Sequence, residues 1–129
     1  MGFVSRLMFG LAALTLALAT ILNTLAFKAM AAVADTSNLP VLYSGALKVL
    51  WLFDSITCAV LTIVFGLATI WPRIAARGIY LLLMLIPGGV SALLYMQYGP
   101  AMGAHIGAAS AALIFLGCLT MPIVPNESD

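Results

Sequence analysis

Residues 49–71, VLWLFDSITCAVLTIVFGLATIW, decide the fold class. This run holds one charged residue, Asp54, among apolar and small hydroxylated neighbours. A helix needs roughly 20 apolar residues to cross the hydrocarbon core of a bilayer. The run supplies them between Lys48 and the Pro72-Arg73 turn. Working outward, three similar runs follow: residues 7–27 between Arg6 and Lys28, residues 78–95 after Arg77, and about 101–121 before Pro122. None alternates apolar and polar residues as a barrel strand does, and lipid offers no partner to an open backbone. The expectation is an all-α integral membrane protein, a four-transmembrane-helix bundle forming a single domain over residues 1–129.

Composition agrees. Of 129 residues 64% are hydrophobic and only 7% charged, with a mean hydropathy of +1.20. A soluble domain carries about 25% charged residues, so five basic and four acidic side chains cannot clothe a water-facing surface. A disordered chain and a soluble enzyme domain are excluded. The net charge of +1, without a basic cluster, leaves no footprint for nucleic acid. The partners to expect are the lipid bilayer and other transmembrane helices, and a bacterial inner (cytoplasmic) membrane is the expected location. Arg6, a long apolar stretch and Ala32-Val33-Ala34 imitate a signal peptide, but an h-region is about 7–15 residues and this one is longer, so the segment reads as a retained helix.

Basic residues set orientation. Arg6, Arg73 and Arg77 share one side and Lys28 and Lys48 the other, which favours both termini inside. A bias of three to two also permits dual insertion. The first loop, Asp35 to Ser44, then lies outside with Asn38-Leu39-Pro40 as its turn, and Pro122 to Asp129 forms a short polar tail.

An ionisable residue inside a span marks a function or a specific partner. Asp54 and the single histidine, His105, are such residues. At a rise of about 1.5 Å per residue, Asn23, Asp54, Ser91 and His105 fall at one depth beneath the first and third loops. They form an expected polar cluster: either interhelical hydrogen bonds or a proton, ion or ligand site titrated by Asp54 and His105. In the second span Ser55, Ala59, Thr62, Gly66 and Thr69 make a small, hydroxylated stripe suited to close helix packing. Pro87, Gly88 and Gly89 lie well inside the third span and predict a kink or local unwinding, because proline frees the carbonyl of Leu83.

Gly99, Gly103, Gly107 and Ser110 give the fourth span a small-xxx-small face. His105 stands about 200° from those glycines around the helix and cannot share their face. With His105 turned inward, the glycine face is free for another helix, which implies a homo-oligomer or a larger complex. Trp51 and Trp71 sit at opposite ends of the second span, as interfacial belt residues do.

Cys58 and Cys118 form no C-x-x-C pair, and H-E-x-x-H, G-x-S-x-G and P-loop motifs are absent. No metal, cofactor or catalytic residue is therefore assigned. In length and near-neutral charge bias the chain resembles small multidrug resistance transporters. Their first-span glutamate has no counterpart here, where Asn23 is the polar residue. In its interrupted third span it resembles fluoride channels, without their glycine- and threonine-rich pore signatures. Both resemblances stop at architecture and assign no site. The leading functional expectation is an accessory or assembly subunit of a membrane complex, or a homo-oligomer. The alternative is a small proton- or cation-linked transporter or channel using Asp54 and His105. A membrane enzyme or cofactor holder is more remote.

Overall fold

The computed structural model describes residues 2–71 and 74–121, and among these there are four helices and no strand. They are α1 (Phe3–Thr36), α2 (Val41–Ile70), α3 (Arg77–Tyr98) and α4 (Met102–Leu119). Each is long and apolar enough to cross a membrane. The outward surface is apolar too: Leu14, Leu25, Phe53 and Leu82 are all about two-thirds exposed or more. The expected Pro72-Arg73 turn and the tail from Pro122 lie outside the described residues.

The helices have unequal lengths, and α1 and α2 run past the expected apolar spans. α1 and α2 run 34 and 30 residues against 22 and 18 for α3 and α4. At about 1.5 Å per residue these are roughly 51, 45, 33 and 27 Å. The expected loop from Asp35 to Ser44 shrinks to residues 37–40. Lys28, Asp35 and Lys48 mark charge, not helix ends, and the alanine-rich segment between Lys28 and Asp35 has no helix breaker. The chain turns only at Ser37–Pro40, where Pro40 caps α2 with its fixed φ of −53°. The two long helices thus extend beyond the other two as a hairpin. An ion pair between Lys48 and Asp35 clasps it.

α1 packs on α2 and α4, and α4 packs on α3, while α2 and α3 share little backbone contact. The core is concentrated at one end of the bundle, called here the basal end, where α1 and α3 begin. Phe9, Phe65 and Tyr80, from α1, α2 and α3, meet there with ring centroids 5.0–5.9 Å apart. Ile114 and Cys118 complete the cluster from α4. Lipid is as apolar as leucine, so burial from water does not hold these helices together; dispersion and interhelical hydrogen bonds do. Phe9 meets such dense packing that a Cβ on Gly117 would stand 2.9 Å from its ring. Beside it the buried Ser5 hydroxyl donates to the Gly117 carbonyl at 3.2 Å.

The α3–α4 seam is built from small residues. A Cβ on Gly107 would lie 3.0 Å from the Pro87 carbonyl oxygen and 3.1 Å from Ser91 Cβ, and one on Gly88 would meet Ala111 at 3.5 Å. α3 is helical without interruption from Arg77 to Tyr98. Of the kink or local unwinding expected at Pro87-Gly88-Gly89, the unwinding therefore does not occur. Pro87 is buried, and the close approach of α4 that Gly88 and Gly107 permit holds the helix through the proline. The hydroxyls of the α2 stripe bond back to their own helix, Ser55 to Trp51, Thr62 to Cys58 and Thr69 to Phe65. That leaves Thr69 free to lie against Gly10 of α1, and the stripe serves packing.

Candidate functional site

Beyond the basal cluster α2 and α3 stand apart, and the space between them is a cleft of about 620 Å³ lined by all four helices. Its lining on α2 runs Leu47, Leu50, Trp51, Asp54, Thr57, Cys58 and Leu61, one face of a helix at alternating steps of three and four. α1 presents Leu16, Ala19, Leu22, Asn23 and Ala26. Ile86, Pro87, Val90 and Leu94 form the α3 wall, and Gly103, Ile106, Gly107 and Ser110 belong to α4. From Leu47 at the mouth to Leu61 at the floor the cleft runs 14 residues of α2, about 21 Å. Its size falls within the roughly 300–1,000 Å³ of small-molecule sites.

Asp54 lies midway along this α2 wall. It is half-buried, and its Oδ2 accepts a 2.6 Å hydrogen bond from the Asn23 side-chain amide of α1. Trp51, one turn nearer the mouth, donates its indole N–H to the Asn23 carbonyl at 2.8 Å. This places Trp51 in the cleft wall. Trp71 at the other end of α2 is exposed. Asn23 thus ties the carboxylate and the indole to α1 at one level. Among the described residues Asp54 is the only charged one in the lining, with no lysine or arginine beside it.

The other expected cluster members lie elsewhere. His105 is exposed and its Nδ1 shares a 2.5 Å hydrogen bond with the Tyr95 hydroxyl. The two rings meet edge to face, 5.5 Å apart. Neither residue lines the cleft, and no hydrogen bond joins His105 to Asp54. α4 begins at Met102, so His105 is only three residues inside it, about 4.5 Å, on the outer face of the bundle. Ser91 is buried and donates to the Ala104 carbonyl at 2.6 Å, locking α3 to α4. Of the four polar residues, Asn23 and Asp54 pair in the cleft, His105 pairs instead with Tyr95 on the outside of the bundle, and Ser91 makes a structural bond.

The glycine face is likewise redistributed. His105 and the glycines do stand on opposite sides of α4, but the glycines face inward and His105 outward, the reverse of the expected arrangement. Gly107 is spent against α3 and Gly103 faces Leu94 of the same helix. Ser110 bonds Thr15 of α1 at 2.8 Å. Gly99 ends α3 with φ +71°, a conformation suited to glycine, and nothing approaches it within 4 Å. The small residues that suggested a surface for a partner helix are instead what brings α3 and α1 onto α4.

These contacts separate structural from site residues. Ser91→Ala removes one interhelical bond, worth about 0.6 kcal/mol in measured membrane cases. Unfolding in mild detergent should show a loss of that size, with no change in anything the cleft binds.

No protein-family model matches this sequence, and neither a curated protein nor a solved structure does. The chain itself defines a class: a small four-helix bundle with helices of membrane-spanning length, closed at its basal end and cleft between α2 and α3 at the other.

Proposed function

We propose that this protein binds a small amphipathic cation in the α2–α3 cleft and belongs to the transporter class, acting in the bacterial inner membrane. One observation carries the reading: among the described residues the only charged one in an apolar cleft of ligand size is the carboxylate of Asp54, held by Asn23 at 2.6 Å. A carboxylate in such surroundings favours a positive group and an apolar body around it. A bundle closed by aromatic rings at one end and open at the other has the asymmetry that a carrier needs in either of its two states. His105 takes no part in this reading, since it lies outside the cleft. The accessory-subunit and homo-oligomer reading rested on short loops, absent catalytic motifs and a free glycine face; since Gly103 and Gly107 face α3, the last of these gives it no support.

Asp54→Asn tests the proposal, because it keeps a polar partner for Asn23 and removes the charge. A trimethylammonium head has no N–H to donate and is held by charge alone. Two unit charges about 5 Å apart at an effective dielectric constant of about 20 attract by about 3 kcal/mol, so the variant should bind octyltrimethylammonium more than tenfold more weakly. Calorimetry on the reconstituted protein reads this directly. Equal binding by wild type and variant, or no binding by either, sinks the proposal.

A further inference from the structure

We propose that the occupant is a single-chain alkylammonium that enters sideways from the bilayer, its head at Asp54 and its tail in the apolar limb beneath. The inference rests on the cation-binding reading above and narrows it to one shape of ligand.

The first argument is the division of the cleft. Asp54 to Leu61 is seven residues of α2, a limb about 10 Å deep below the carboxylate. Its walls are Leu16, Ala19, Ile86, Val90 and Ile106, all aliphatic. The one aromatic ring in the lining, Trp51, stands above the carboxylate, and its N–H is bonded to Asn23. Flat aromatic cations thus find no second ring to stack on below the charge. A flexible hydrocarbon chain finds these aliphatic contacts down the limb, interrupted only by the small side chains of Thr57, Cys58 and Ser110.

The second argument is access. α2 and α3 share little backbone contact, so the cleft opens to the side along helices whose outer faces are apolar. A chain dissolved in lipid can slip between them without crossing water. Charge complementarity selects the head: Asp54 is a carboxylate, and among the described residues no lysine or arginine in the lining could hold a phosphate. That favours a free monovalent amine over a two-chain phospholipid.

The third is a built-in reporter. Cys58 lines the same limb one turn below Asp54 and is partly exposed. An occupied limb should shield its thiol.

The test measures protection of Cys58 from N-ethylmaleimide, using the full chain in phosphatidylglycerol nanodiscs, which contain no amine. Trimethylammonium probes from butyl to tetradecyl are compared with tetraphenylphosphonium, each referred to its free aqueous concentration. A limb of about 10 Å holds roughly seven or eight methylenes at C–C bond lengths of about 1.5 Å. Affinity should rise about fourfold per methylene up to octyl and then level off. Tetraphenylphosphonium should bind at least tenfold more weakly than octyl, and Asp54→Asn should weaken octyl protection more than tenfold. A series without a plateau, or a stronger tetraphenylphosphonium, overturns the single-chain inference while leaving cation binding intact. Protection by neither probe type overturns both. If phosphatidylethanolamine added to the discs shields Cys58 as well as octyl does, the site belongs to a lipid headgroup and the proposal falls.

Discussion

Gly117→Ala is expected to destabilise the bundle by about 1–3 kcal/mol, the range for overpacking a tight core, and nearer the upper end. The added methyl would stand 2.9 Å from Phe9 Cε1 and 3.0 Å from Cδ1. A flexible side chain at that distance would turn aside. Phe9 cannot, because it is fully buried and wedged against Phe65 and Tyr80 with centroids 5.7 and 5.0 Å away. Either α4 moves outward or the ring cluster opens, and both lose contacts at the place where α1, α2 and α3 meet. Each lost contact is small, but no hydrophobic transfer term replaces it in lipid. Phe9→Leu removes the ring edge at a moderate cost of its own and should make room for the methyl. The double variant should then be more stable than the sum of the single losses requires, by about 1 kcal/mol or more, the coupling expected of residues in contact. Reversible unfolding in mixed micelles gives all four corners of this cycle. Strict additivity would show that the Gly117–Phe9 contact does not limit packing.

Much of this bundle was legible in the sequence because lipid imposes a simple rule. Long apolar runs must become helices, and four runs became four helices. Charges were a poorer guide to where helices stop: Lys28, Asp35 and Lys48 extend α1 and α2 beyond α3 and α4 because nothing in those segments breaks a helix. The polar residues were identified individually, but their partners were not. A rise of 1.5 Å per residue gives depth, whereas contact depends on rotation about each helix axis. Soluble helices reveal that rotation through a polar stripe; these helices are apolar nearly all round, so Asp54 could not be assigned to Asn23 rather than to His105. The opposition of His105 to the glycines followed from α4 alone. Which side faced inward did not, since it was decided by Ser91 and Pro87 on another helix. The cleft left no signal in any single span, for it is the gap between α2 and α3.

Val90→Trp should weaken octyltrimethylammonium binding by between tenfold and a hundredfold while leaving the fold in place. Val90 is 37% exposed and lines the α3 wall. Its level follows from the contacts on either side. Neighbouring Ser91 meets Gly107, Ser110 one turn further along α4 meets Thr15, and Asn23 of α1 meets Asp54. Stepping along these helices at about 1.5 Å per residue puts Val90 about 9 Å below the carboxylate, near the floor of the limb, where an indole is wide enough to reach upward by a few ångströms. An indole there enters open space instead of packed core, so the basal rings and the α3–α4 seam are untouched. It would shorten the limb from about 10 Å to about 6 Å and deprive an octyl tail of roughly three methylene contacts. At about 0.8 kcal/mol for each methylene withdrawn from water, the loss is tens of fold. The plateau in chain length should move to correspondingly shorter probes, while the tenfold dependence on Asp54 persists for those that still fit. A uniform loss across all chain lengths would mean that the indole disturbs the carboxylate instead of the limb. Unchanged octyl binding would mean that the tail lies outside the cleft, against the lipid-facing surface. The pattern across chain lengths therefore locates the tail, and Asp54→Asn separately locates the head.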